Sequence, residues 1–196
     1  MEEIRRRQLI EATIASIHAV GFSEASVSRI AAKAGVSAGI VHHYFEDKGE
    51  LLEATMRQLA VNLSRSVTRR QRAAKTPAHR LMAVVDGNLG PELFTPAAVS
   101  AWLAFWSQVP THPRLARIQT VIIRRLHSNL VHALRPFLRE PEVQHTAQDL
   151  ACLIDGIWLR AAVNPKGPNG SDARRAAIEF ISNRLNIKIG DTPWTS

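Results

Sequence analysis

Two groups of residues in this sequence have types and spacing suited to chemistry, and neither is a catalytic constellation. The first is Ser26 to Phe45, where two short helical stretches flank Ala34-Gly35-Val36-Ser37. A glycine permits the sharp turn, and Val36 is a buried pivot between the stretches. The second stretch opens on Ser37, Ala38 and Gly39 and continues through Ile40, His42, His43 and Tyr44. Small groups at its leading end leave room for base edges, as a helix entering a major groove requires. Ile40 suits a thymine methyl. Tyr44 and Lys48 suit phosphates on either side, and the free N–H groups at that helix start and at an Asp47 cap favour phosphate too. The same turn also joins helices in plain bundles, so these residues alone leave DNA reading and mere packing both open. His42 and His43 are adjacent, about 100° apart on a helix, and do not share a metal.

The second group is aromatic. Trp102, Phe105 and Trp106 stand at i, i+3, i+4, with Phe94 upstream and Trp158 near Asp155. Such a stripe serves either a packed core or an aromatic box for a quaternary ammonium, whose attraction to each ring face is worth ~0.5–2 kcal/mol. Asp155 or Glu92 would supply the counter-charge. Other chemistry is poorly provided for. Cys152 falls on an apolar helix face, as inert packing. The scattered histidines (His18, His79, His112, His127, His132, His145) lack metal spacing, and there is no phosphate-cradling glycine loop. The chain reads as a non-enzyme with no cofactor and no metal.

The elements that position these groups are helical throughout, so the expected fold class is all-α. Ile10, Ile14 and Ile17 mark a first helix closed by Gly21. Ser26 caps a second, closed by Gly35. Ser37 caps a third, with Val36 and Val41 at the hydrophobic-staple positions. Asp47 opens a fourth, with Glu50 completing a capping box, running to about residues 69–72. Lys75-Thr76-Pro77 is the first clear break. Later helices are expected near 76–88, 95–107, 113–138, 141–163 and 171–185, punctuated by prolines and the loop 164–170. This gives a DNA-binding head at 1–63, a linking-helix end at 64–75 and a second domain at 76–196. The 141–163 helix is apolar on two faces: Val143, Ala147, Leu150, Ala151, Ile154, Trp158 and Ala161 on one, Leu153 and Ile157 on the other. With the small residues Ala173, Ala176 and Ala177 of the 171–185 helix, it is the expected homodimer interface. The tail from Ile187 is expected to fray.

Composition bounds the rest. The 196 residues are 45% hydrophobic, enough for a sizeable core, and no apolar run approaches the ~20 residues of a membrane helix. The single cysteine fits a reducing cytosol, and the charged N-terminus lacks a secretory signal. Net charge is +8, which favours an acidic partner such as nucleic acid. The excess does not localise it, because residues 1–75 hold 12 basic and 8 acidic groups and residues 76–196 hold 13 and 9.

Residues Arg7 to Met56 resemble the DNA-binding domain of the TetR family of repressors. The resemblance rests on Ile10-Glu11-Ala12, Gly21-Phe22, Ser26-Val27-Ser28-Arg29-Ile30-Ala31, Ala34 to Ile40, His43-Tyr44-Phe45, Lys48 and Leu51-Leu52. It implies a three-helix head with a helix-turn-helix at 26–45, a fourth linking helix, and a C-terminal domain that binds an inducer and dimerises. Carried over by position, Ser26, Ser28, Arg29, Ser37, Ala38, Gly39, Ile40, His42, His43, Tyr44 and Lys48 are the implied DNA contacts. Further stretches, including Ile4 to Ile10, Leu51 to Arg57, Ala101 to Trp106, Arg124 to Leu130 and Leu153 to Arg160, are similar to the branch of that family that represses glycine-betaine synthesis and responds to choline. That branch implies a ligand site drawn from Phe94, Trp102, Phe105, Trp106, Asp155 and Trp158. The expected behaviour is a homodimer that holds a palindromic operator in double-stranded DNA and is released by choline or a related quaternary ammonium. The alternative is a family member answering another cationic or lipophilic compound, as in control of drug or biocide efflux. The 165–170 loop and the tail after Leu185 depart from the pattern, and His42 stands in the reading helix, where it would alter operator preference.

Overall fold

The computed structural model describes residues 2–187, so most of the tail expected to fray lies outside the described residues. The described residues form nine α-helices and no strand, the all-α class that was expected. These are α1 (Glu2–Glu24), α2 (Val27–Lys33), α3 (Ala38–Tyr44), α4 (Lys48–Ala73), α5 (Pro77–Leu89), α6 (Pro96–Gln108), α7 (Pro113–Leu134), α8 (Glu142–Val163) and α9 (Gly170–Leu185). A single 3-10 turn, Val109–Thr111, precedes α7.

Packing gathers the helices into two compact units. The head unit holds the residues up to Val61 together with Pro96–Gln119; the second unit holds Asn62–Thr95 and the residues from Thr120 on. This grouping cuts across the linear division expected at residues 63 and 76, because α6 packs against α1.

In the head unit, Leu9, Ile10 and Ala12 of α1 meet Ile30 and Ala31 of α2, Val41 of α3, Phe45 and Leu51 in one buried cluster, with Val36 packed on it from the turn. Local signals set the helix ends. Helical geometry breaks at Gly21 (φ 78°). The Ser26 hydroxyl accepts the Arg29 N–H at 3.3 Å, capping α2. Past α2, Gly35 adopts φ 67°, its N–H donates to Ala32 C=O, and the Val36 N–H donates to Ala31 C=O. That double closure is a Schellman motif, and an L side chain at position 35 would cost ~1–2 kcal/mol. Ser37 stands at the N-cap of α3 but makes no side-chain cap bond. Asp47 accepts the Glu50 N–H at 2.7 Å, while Glu50 accepts the Glu46 N–H rather than that of Asp47. The expected capping box is therefore displaced by one residue.

In the second unit, the whole expected apolar face of α8, Val143 to Ala161, is buried, and α8 packs on α9 and α5. A Cβ on Gly87 of α5 would lie 2.8 Å from the Val67 Cα, so α4 and α5 cross with no room for a side chain there. Two further expectations are corrected. Helix α7 ends at Leu134, not near residue 138, because Pro136 disfavours helical geometry at Arg135. Cys152 is exposed rather than packed, its Sγ accepting from Gln148 Nε2 at 3.4 Å.

Candidate nucleic-acid interface and ligand site

Helix α3 is held to the head by its inward side, where Val41 is buried and Ala38 and Tyr44 pack on the cluster. Its outward side carries Gly39, Ile40, His42 and His43, all exposed, with Ile40 40% exposed although apolar. An apolar side chain left in water on a rigid helix suits a partner surface. A Cβ added at Gly39 would meet only the Ser37 hydroxyl, at 3.8 Å. Packing does not require glycine there; its absent side chain lets another surface approach the backbone. The His43 ring meets Tyr44 edge-on, centroids 5.1 Å apart.

The flanking residues are placed less uniformly. Ser26, Ser28 and Ser37 are exposed. Arg29 is exposed beside Glu24 at 3.8 Å. Lys48 is spent inside the head: its ammonium donates to the carbonyls of Phe22 and Ser23 and lies 4.2 Å over the Phe22 ring. Desolvation lowers its pKa, against an opposing pull from Glu24. Arg6 does similar work, donating to the Tyr44 carbonyl at 3.0 Å and covering Phe45, which ties the start of α1 to the end of α3.

The six expected ligand residues fall into two sets. In the head unit, Trp102 meets Phe105 at 5.7 Å and Trp106 at 6.0 Å. Phe105 is fully buried, so it serves as core and presents no face to a ligand. The Trp106 indole N–H is buried without a hydrogen-bond partner. In the second unit, Phe94 and Trp158 meet edge to face, centroids 4.9 Å apart, and Asp155 stands one turn before Trp158 on α8.

Electrostatics separates the two carboxylates considered for a cation. Glu92 accepts from Arg70 at 2.8 Å, Ser66 at 3.0 Å and Arg69 at 3.4 Å. Desolvation pushes its pKa up, but its own backbone N–H, Ser66 and Arg70 outweigh that and hold it low. Its charge is already neutralised. Asp155 pairs with no basic group among the described residues. It is reachable by solvent yet crowded by protein, and that desolvation raises its pKa. A third carboxylate, Asp86, was missed in the sequence. It accepts from Arg174 Nε at 2.8 Å, both side chains being buried. Its pKa is nevertheless raised, since burial outweighs the arginine. The only sequence signal for that pair was an acid and a base on apolar helices 88 residues apart.

Comparison with known proteins adds to this geometry. Residues 9–55 match the profile of the bacterial regulatory proteins of the tetR family, and residues 77–186 match that of the BetI-type transcriptional repressor C-terminal domain. The chain is 44% identical over 194 residues to an HTH-type transcriptional regulator BetI of Chromohalobacter salexigens, covering 98% of this chain and 96% of that one. It is likewise 44% identical to the BetI regulator of Yersinia pestis, with 96% of each chain covered. A transcriptional regulator of Pseudomonas aeruginosa superposes with a TM-score of 0.80 at 28% identity, over 95% of this chain and 92% of that one. A transcriptional regulator of Saccharomonospora viridis, solved in complex with choline, superposes with a TM-score of 0.80 at 21% identity, over 90% and 95%.

Proposed function

Because the chain belongs to the TetR family of bacterial regulatory proteins and carries the family's BetI-type C-terminal domain, we propose that it represses its target genes by holding a palindromic operator and is released by choline or a related quaternary ammonium. The observation that carries the DNA half is the exposed stripe Gly39, Ile40, His42, His43 on a helix locked by the Gly35 turn. Ser26, Ser28, Arg29, Ser37 and Tyr44 flank it as backbone contacts. Ala38 sets the helix start and Lys48 sits just beyond, its ammonium turned to the head's own carbonyls.

The ligand half rests on Asp155, which unlike Glu92 has no basic partner among the described residues and stands one turn along α8 from Trp158, a ring buried against Phe94. A trimethylammonium group needs apolar ring surface and one counter-charge, and no hydrogen-bond acceptor. A protein of the same fold holds choline, so the fold can house that ligand. Trp102 and Trp106 remain further ring candidates.

A homodimer places two reading heads on one operator. Leu159 and Val163 lie one turn apart on α8, 48% and 66% exposed, beside Gly156, whose missing side chain faces open space. Such an apolar ridge with a notch suits a symmetric partner helix. Two-fold symmetry then puts half-sites about 34–36 Å apart, or a multiple of that.

Footprinting upstream of the protein's own gene tests the proposal. A protected palindrome that survives moderate salt supports it. Protection with no preferred site, lost uniformly as salt rises, overturns it.

A further inference from the structure

We propose that the second unit also carries an anion-binding cleft, sharing no residue with the cation site, that takes a small phosphate-bearing ligand. A cleft of about 470 Å³ opens between the end of α4, the start of α5 and the end of α7. Lys75, Arg80, His132 and Arg135 line it around Thr76, and no carboxylate is among the lining residues. Elsewhere in this unit Arg69 and Arg70 are matched by Glu92, Arg174 by Asp86, and Arg175 by Asp172 and Glu179, whereas Arg65, Arg72, Arg124, Arg139 and Arg160 stand without a carboxylate partner among the described residues. Lys75, Arg80, His132 and Arg135 have no hydrogen bond or ion pair to a described residue.

The Lys75, Arg80, His132 and Arg135 side chains are exposed to solvent, and their shared sign within a concavity raises the local positive potential that draws an anion. Two guanidinium forks and an ammonium match the oxygens of a phosphate, the arginines in bidentate fashion. The cleft also receives the positive end of α5, a 13-residue helix whose Thr76 cap lies in the wall. Its volume falls within the range of small-ligand sites. A nucleic-acid backbone calls instead for an open basic stripe. Since α4 begins in the reading head and ends at this cleft, occupancy is positioned to be felt as a change in operator affinity.

Pyrophosphate is the probe, titrated calorimetrically into the full-length protein at low salt, against chloride at matched ionic strength. Saturable binding of one pyrophosphate per chain is expected. The paired substitution Arg80→Ala with Arg135→Ala should weaken it at least tenfold, while Arg117→Ala, which removes an exposed charge elsewhere, should leave it within about twofold. No saturable binding overturns the proposal, as does binding weakened equally by both variants, which reports net charge alone. Operator affinity lowered by the Arg80/Arg135 pair while its pyrophosphate binding matches the parent's also overturns it, in favour of DNA phosphates at this surface.

Discussion

Arg70 Nη1 lies 2.8 Å from Glu92 Oε1, and this ion pair, with Arg69 at 3.4 Å, distinguishes Glu92 from Asp155, which has no basic partner among the described residues. Glu92's pKa is held below its ordinary value. Its stabilising contribution is therefore present above the unfolded value and is lost as pH falls through the lowered folded value. Glu92→Gln should be less stable than the parent near pH 7, with the gap closing as both are acidified. Denaturant midpoints at neutral and acid pH check this. Choline affinity should not change, because Glu92's charge is already spent.

Asp155 behaves oppositely. Desolvation raises its pKa, so it takes up a proton at a pH where an ordinary aspartate stays charged. Choline affinity should fall as pH drops through that raised value, since the ammonium binds the carboxylate form. Asp155→Asn should weaken choline about fivefold, ~1 kcal/mol for a solvent-reachable charge pair, and abolish the pH dependence. Operator affinity without choline should stay unchanged. Tryptophan fluorescence titrations at several pH values read both effects.

Lys48 provides a test of positioning against contact. Its ammonium joins the start of α4 to the carbonyls that follow the Gly21 break. Lys48→Met keeps the apolar stem and should destabilise the protein by ~1–2 kcal/mol in denaturant unfolding. The salt dependence of operator binding should keep its slope. A phosphate-contacting lysine would reduce that slope by about one when removed.

On the reading helix, Ile40 is exposed and outside the head's core, so Ile40→Asp should fold normally by circular dichroism. An acid facing DNA should lower operator affinity about 100-fold or more, ~2.7 kcal/mol. A smaller loss, spread equally over all sequences, would move the reading surface away from α3.

The head was legible in the sequence because its signals are local. Gly21, Ser26, Gly35 and Asp47 each act within one turn, and the structure puts a kink in α1 at Gly21 and a helix boundary at each of the other three. Hydrophobic period carries α7 on past Leu134, whereas Pro136 stops it by disfavouring helical geometry at Arg135. The aromatic groups were legible as groups only. Spacing gave Trp102, Phe105 and Trp106 one side of α6, but it could not tell that Phe105 is spent in the core or that α6 packs with α1. Nor could it tell that Glu92 and Asp86 are already paired. Those facts arise from contacts between residues far apart in the chain, which periodicity does not encode.

The central claim is that one small cation uncouples this protein from its operator. Choline should be titrated into the protein–operator complex while DNA anisotropy and tryptophan fluorescence are followed together. The account predicts release and a tryptophan change with the same midpoint, with operator affinity lowered at least tenfold at saturation, a coupling of about 1.4 kcal/mol. Operator affinity that stays within about twofold while choline saturates the tryptophan signal, or no tryptophan response at all, would contradict it.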